Sequence, residues 1–291
     1  MREASFDLDV LAQTESVFAL SNGSIGWRRN LDESEPHGLP GSYLNGVFEE
    51  RPLLYAENGY GYPESGQTII NVTNGKLIRF LVNDEPFDVR YGLLRSHERS
   101  LDFRTGTLTC QTEWVFPAGC VVTITYTLMV FLVQRAVAAI CYEVEPVDQT
   151  TRVEVESELV ANEQLPDPGG DPRVAALLES PLVEQADSAR GARTVLVHST
   201  RQNGLIVAAV IDHVVDEPPR TKVRSESFPH MGWMTFSSTL EPGQRLIKVC
   251  CVQLVRFPVA ARGPRPGRRG VGRCDADRME PVARRAAHLS E

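Results

Sequence analysis

Arg152-Val153-Glu154-Val155-Glu156-Ser157-Glu158-Leu159 alternates inward and outward character without a break. Successive strand residues point to opposite faces, so Val153, Val155 and Leu159 share one face while Arg152 and the three glutamates share the other. The spacing predicts a half-buried strand, and the acidic row reads as a solvated sheet face rather than a catalytic pair. Working outward, the same period of two recurs in Thr68 to Val72, Leu77 to Val82, Leu101 to Phe103, Thr107 to Val115, Val121 to Leu128 and Ala136 to Val144. It resumes at Thr194 to His198, Leu205 to Val214, Met231 to Ser237 and Arg245 to Cys251. Many strands at such spacing, several joined at Gly, Pro, Asn or Asp, predict an all-β fold: a large antiparallel β-sandwich with short helical insertions. Residues 163 to 194, with Pro166-Asp167-Pro168-Gly169-Gly170-Asp171-Pro172, read as an insertion loop with a short helix near Arg173 to Glu179.

A chain of 291 residues holds one large core or two small ones, and one dominant domain over residues 1–251 is the expectation. The net charge of −8 argues against nucleic acid and against an anionic membrane surface as partners. No charged n-region with an apolar core opens the sequence and no apolar run of membrane-spanning length occurs, so the expected compartment is the cytoplasm. Cys110, Cys120, Cys141, Cys250, Cys251 and Cys274 show neither C-x-x-C spacing nor a histidine at ligand distance, which reads as free thiols with no metal and no cofactor.

Near the start, the apolar run Val17 to Leu20 ends at Asn22-Gly23, the signal of a tight hairpin turn. From there to Tyr62 the chain repeats Gly, Pro and Asn and interleaves Tyr43, Phe48, Tyr55, Tyr60 and Tyr62. A long surface excursion of this kind is uncommon without a function. Flat rings stack on pyranose faces while Asn, Glu and His take hydroxyls, so His37, Tyr43, Asn45, Tyr60, Tyr62 and Glu64 are the candidate carbohydrate or interdomain contacts. The alternative is a structured loop packed on a neighbouring domain.

The stretch Ser21-Asn22-Gly23-Ser24-Ile25-Gly26-Trp27 through Leu44-Asn45-Gly46-Val47-Phe48-Glu49 resembles the opening of the glycoside hydrolase family 65 disaccharide phosphorylases, the maltose, trehalose and kojibiose phosphorylase group. Tyr60-Gly61-Tyr62-Pro63-Glu64-Ser65-Gly66-Gln67-Thr68-Ile69-Ile70, then Glu85-Pro86-Phe87-Asp88-Val89, then Leu101-Asp102-Phe103-Arg104-Thr105-Gly106-Thr107-Leu108 follow the same N-terminal order. In the last of these the glycine supplies a turn, and Asp102 and Arg104 can pair across it in a structural role. Gly26-Trp27-Arg28-Arg29 carries Arg where the resembled pattern usually has Gly, and Thr107 to Cys110 and Met129 to Leu132 lack arginines often found there.

The resemblance implies a galactose-mutarotase-like super-sandwich, a homodimer, and inverting phosphorolysis of an α-glucosyl disaccharide with inorganic phosphate as co-substrate. It also implies that the general-acid Glu and the phosphate site lie in a downstream (α/α)6 barrel that this chain does not reach. The expected function is thus the non-catalytic N-terminal domain of a truncated phosphorylase or hydrolase, with no catalytic residue of its own. A stand-alone carbohydrate-binding or protein-interaction sandwich is the other reading. Glu33 with Glu35, Asp84 with Glu85 and Glu143 with Glu145 are the obvious carboxylate pairs, but neighbouring carboxylates are common on exposed loops and strands. His37 and His97 lack a nucleophile setting. Residues 252–291 hold nine Arg, four acidic residues and no Lys, while the whole chain has 27 Arg and 3 Lys, a mark of GC-rich coding. A basic tail, a disordered linker and a frameshift near Lys248 compete, and a back-translation read one nucleotide later permits a peptide resembling the family's linker, which favours the frameshift.

Overall fold

The computed structural model describes residues 1–257 apart from 5–6, 30–40, 54–59, 165–177, 179, 217 and 219. A short helix, α1 (Leu11–Val17), follows a two-residue β1 (Arg2–Glu3). The loop-rich first part then holds β2 (Leu20–Ser21), β3 (Ile25–Trp27), β4 (Ser42–Leu44), β5 (Phe48–Pro52) and β6 (Ser65–Ile69). The body is built from β7 (Ile78–Val82), β8 (Glu85–Pro86), β9 (Leu93–Asp102), β10 (Thr107–Val115), β11 (Val121–Val130), β12 (Val137–Pro146) and β13 (Thr151–Val160). It continues with β14 (Leu182–Arg190), β15 (Arg193–Thr200), β16 (Ile206–Asp216), β17 (Lys222–Phe228), β18 (Met231–Leu240) and β19 (Leu246–Phe257).

Nine strands form one antiparallel sheet in the order β1-β9-β10-β11-β12-β19-β16-β15-β14, and five form a second in the order β17-β18-β13-β7-β8. β11 shows why the pair becomes a sandwich. Val122, Ile124, Tyr126 and Leu128 are buried on one face while Thr123, Thr125 and Thr127 stay half-exposed on the other. Phe80 of the smaller sheet meets Tyr142 of the larger edge-to-face at 6.2 Å, with Phe116 and Phe87 completing an aromatic cluster between the layers. The chain is a large antiparallel β-sandwich, as its period-two runs imply.

Several details depart from the sequence reading. β14 lies inside the stretch read as an insertion loop, and β17 falls where no strand is predicted. Each is an edge strand of its sheet, so neither shows the clean alternation that comes from burying one face. The helix near Arg173 to Glu179 lies outside the described residues, except Leu178, which is not helical. The acidic row of β13 is not uniformly solvated: Glu154 and Glu156 are half-buried, and Glu158 is 2% exposed. Glu158 sits opposite Trp233, receives a hydrogen bond from Arg79 Nε, and is pushed up from the usual carboxylate range by its burial. Asp102 accepts from the Arg104 backbone amide at 2.8 Å instead of pairing with its guanidinium, which holds its carboxyl below the usual range. The last strand runs to Phe257 rather than stopping at Cys251, with Val252 and Leu254 fully buried in the core.

Candidate functional site

Asn22 organises the first hairpin. Its Oδ1 accepts from the amides of Ser24 (2.9 Å) and Ile25 (2.8 Å), while Nδ2 donates to the carbonyls of Phe131 (2.7 Å) and Arg135 (3.0 Å). Local turn chemistry and a long-range tether to the β11–β12 connection therefore share one amide group. Gly23 follows at φ +80°, the conformation that calls for glycine, and a Cβ there would also displace the tip of the Arg135 side chain, 2.7 Å away. Asn45 closes the arrangement, donating from Nδ2 to the Gly23 carbonyl at 3.1 Å and from its amide to the Ser24 carbonyl at 2.8 Å. Asn22→Ala removes four hydrogen bonds and leaves two carbonyls and two amides to find water. It is expected to destabilise the domain by about 2–4 kcal/mol, measured by urea unfolding, with Asn22→Asp also costly because it turns a carboxylate toward two carbonyl oxygens.

Between this hairpin and the β5–β6 hairpin lies an open groove of about 520 Å³. Tyr43, Asn45, Phe48, Gln67, Thr68 and Ile69 are among its lining. The β5–β6 hairpin is fixed from below by Glu49, buried, whose carboxylate accepts from the Gln202 and Asn203 amides at 2.8 and 3.0 Å. Asn203 Nδ2 returns a bond to the Phe48 carbonyl at 3.0 Å.

The candidate residues divide along this hairpin. Tyr43 and Asn45 meet at the groove, while Tyr60, fully exposed, and Tyr62 and Glu64, also exposed, lie beyond the other end of β6. Phe48 pairs with Ile69 and Pro52 with Ser65, so four residue steps, roughly 13 Å, separate the two ends. His37 lies outside the described residues. Gln67, Thr68 and Ile69 escaped the sequence reading as groove residues. Ile69 is an apolar strand residue left 70% exposed at this groove, which only the structure reveals.

The remaining candidates for chemistry have structural partners. Glu143 and Glu145 both face Arg245, at 3.9 and 2.7 Å. Asp84, in a turn at φ +69°, pairs with Arg152 at 2.9 Å, and Glu85 begins β8. His97 lies 3.2 Å from Thr112 Oγ1 across β9 and β10. Glu33 and Glu35 lie outside the described residues. Strongly shifted groups sit within the sandwich instead: burial pulls His213 down to about 3, His198 to about 4 and Lys248 to about 8. Among the described residues no cluster of His, Cys, Asp and Glu is arranged to hold a metal ion, and no helix is long and apolar enough to cross a membrane.

Fold and site together define an all-β sandwich domain whose loops present polar and aromatic side chains beside an open groove. The family model described as glycosyl hydrolase family 65, N-terminal domain, matches residues 1–256, and the chain belongs to that family. An uncharacterized glycosyl hydrolase of Mycobacterium tuberculosis is 54% identical over 248 residues, covering 84% of this chain and 31% of the relative. An α,α-trehalose phosphorylase of Thermoanaerobacter brockii is 31% identical over 220 residues, 74% of this chain and 28% of the relative. Among solved structures, a provisionally assigned kojibiose phosphorylase from the human microbiome shares the fold, with a TM-score of 0.76 and 20% identity over 88% of this chain and 32% of its own. The chain thus spans about a third of the length of these relatives.

Proposed function

We propose that the chain supplies the non-catalytic N-terminal domain of a family 65 phosphorylase or hydrolase acting on α-linked glucose disaccharides, with the tyrosine-bearing hairpin as its contact to the sugar or to a catalytic barrel. The family match over residues 1–256 carries this reading. Relatives named as α,α-trehalose, kojibiose and nigerose phosphorylases support the substrate class. Inverting phosphorolysis needs a carboxylic acid to protonate the glycosidic oxygen on one face and a bound phosphate to attack from the other. The described carboxylate pairs are committed to ion pairs and turns, so the proposal places both functions outside the sandwich. We place the domain boundary after Phe257, because Val252 and Leu254 are core residues.

The purified 291-residue chain is expected to release no glucose 1-phosphate from maltose, trehalose, kojibiose or nigerose in phosphate buffer, and no glucose by hydrolysis. Supplying the segment of the M. tuberculosis relative that lies beyond its match to this chain is expected to reconstitute turnover. Tyr60→Ala and Tyr62→Ala are then expected to lower it by about tenfold, equivalent to 1.4 kcal/mol of lost contact. Turnover by this chain alone that disappears on changing one of its own carboxylates would overturn the reading. The full exposure of Tyr60 favours a second reading, direct sugar binding by the isolated sandwich. Millimolar affinity, about 4 kcal/mol, would suffice and would be lost in the same tyrosine variants.

A further inference from the structure

The outer face of the five-stranded sheet holds a second concavity, about 640 Å³, far along the chain from the tyrosine hairpin and built from β13, β17 and β18. Its register is explicit. Glu226 of the edge strand β17 stands opposite Trp233, Arg224 opposite Thr235, and Lys222 opposite Ser237, all on the face that lines the groove. Arg220 lies just before β17 and lines the same wall. The indole of Trp233 is half-buried, and Phe228, which does not line the groove, stacks against it with centroids 5.1 Å apart and planes 21° from parallel.

The charges do not balance. Arg152 is committed to Asp84 at 2.9 Å and Glu154 at 3.7 Å, which accounts for one cation and one carboxylate of the lining. Arg220, Lys222 and Arg224 remain, all exposed and none in an ion pair among the described residues, against the single remaining carboxylate of Glu226. This excess of two positive charges sits in a chain whose net charge is −8, so it is a local arrangement and not a consequence of composition. Ser237 and Thr239 add hydroxyls that have no protein partner among the described residues. Lysine and arginine on an edge strand also discourage pairing with another chain, but that role is served on either face and needs no aromatic platform.

From this juxtaposition we propose that the groove binds a sugar carrying an anionic group, with the pyranose ring against Trp233 and the anion held by Arg224 and Lys222. Arg224 is the diagonal cross-strand neighbour of Trp233, roughly 7–8 Å away, which a long side chain spans to meet a substituent projecting from a stacked hexose. Lys222 follows on the same face about 7 Å further along the strand, so the two cations close on one anion from the same wall. Phosphate and carboxylate share this chemistry.

Titration of the full 291-residue chain with glucose 6-phosphate, glucuronate, glucose and inorganic phosphate tests the site, read by tryptophan emission. Trp27 and Trp114 are buried, so Trp233 dominates the response to a surface ligand. Glucose 6-phosphate is expected to bind saturably, with glucose and inorganic phosphate each at least about tenfold weaker, because each offers one half of the recognition. A comparable affinity for glucuronate would assign the carboxylate and a weaker one the phosphate. K222A/R224A is expected to weaken binding by about tenfold or more with an unchanged thermal melt, since both side chains are exposed. Trp233→Ala, followed by isothermal titration, is expected to lower affinity for the sugar phosphate while leaving that for inorganic phosphate unchanged. No saturable binding, equal affinity for glucose and glucose 6-phosphate, inorganic phosphate binding as tightly as the sugar phosphate, or binding indifferent to K222A/R224A would each overturn the proposal.

Discussion

Lys248→Met is expected to stabilise the domain at neutral pH, against the usual direction of core substitutions. Lys248 lies on β19 between Tyr142 of β12 and Val215 of β16, wholly buried in the interior of the sandwich. Its ammonium donates to Ser157 Oγ from the opposite sheet and stands 5.8 Å from the centre of the Tyr142 ring. No carboxylate forms an ion pair with it among the described residues, and its titratable neighbours are Cys250, Cys141 and His213. Burial lowers it from 10.5 to about 8. A base with a depressed folded value binds fewer protons when folded, so its contribution to stability is complete above 10.5 and falls away as pH drops toward 8. Below that, the buried charge costs roughly 3 kcal/mol. Methionine fills nearly the same volume without the charge but forfeits the Ser157 bond and the ring contact, about 1 kcal/mol each. The net gain at pH 7 is therefore about 1 kcal/mol, or a few degrees in Tm.

The pH dependence separates this cause from improved packing. Urea unfolding of both proteins at pH 7, 9 and 10.5 is expected to show the variant's advantage shrinking and then reversing. Cys251, raised to about 11 by burial, weakens folding above pH 9 in both proteins and cancels in the difference, whereas Cys141, also raised to about 11, loses the nearby Lys248 charge in the variant, which adds to the decline of its advantage. A gain that stays constant from pH 7 to 10.5 would refute the burial of charge as its origin.

Lys248 also shows what the sequence hides. Arg245 to Cys251 reads as a strand from its pattern, and it is one, yet nothing local says that the lysine points inward. That is decided by register with β12 and β16, both distant in sequence. The same limit explains Glu158, which continues a visibly polar row but is sealed between Trp233 and Arg79. Strands with one buried face were legible because burial imposes a period of two. β14 and β17, at the sheet edges, lack that pressure and were missed. In the loops, Asn22-Gly23 announced its turn, because turn chemistry is local. Its tether to Phe131 and Arg135 was not legible, and neither was the separation of Tyr43 from Tyr60, since both depend on how distant segments fold over one another.

Glu15→Ala is expected to have the larger effect and the opposite sign. Glu15 is fully buried on α1, its carbonyl accepts from the Arg29 amide at 3.1 Å, and its carboxylate lies 3.4 Å from Arg28 Nη2. Arg29 is 1% exposed, with its guanidinium 4.3 Å from the centre of the Tyr126 ring on β11. Gly26-Trp27-Arg28-Arg29 carries Arg where the resembled pattern usually has Gly, and a buried carboxylate from α1 lies beside Arg28. Deleting that fully buried carboxylate removes a counter-charge that half-buried Arg28 meets at 3.4 Å, a loss of about 3–4 kcal/mol. Glu15→Gln keeps the shape and some hydrogen bonding and is expected to cost less, about 1–3 kcal/mol. A double-mutant cycle with Arg28→Met identifies the mechanism: if charge is the cause, E15A/R28M recovers at least about 1 kcal/mol relative to the sum of the single changes. Strict additivity would instead assign the loss to the packing of α1. The consequence reaches the loop site, because the Arg28 amide donates to the Gly41 carbonyl at 2.7 Å, directly before the strand that presents Tyr43. Loosening Glu15 should therefore raise hydrogen exchange at Ser42 and Tyr43 before it unfolds the sandwich, and exchange confined to α1 would show that the helix and the groove are not coupled.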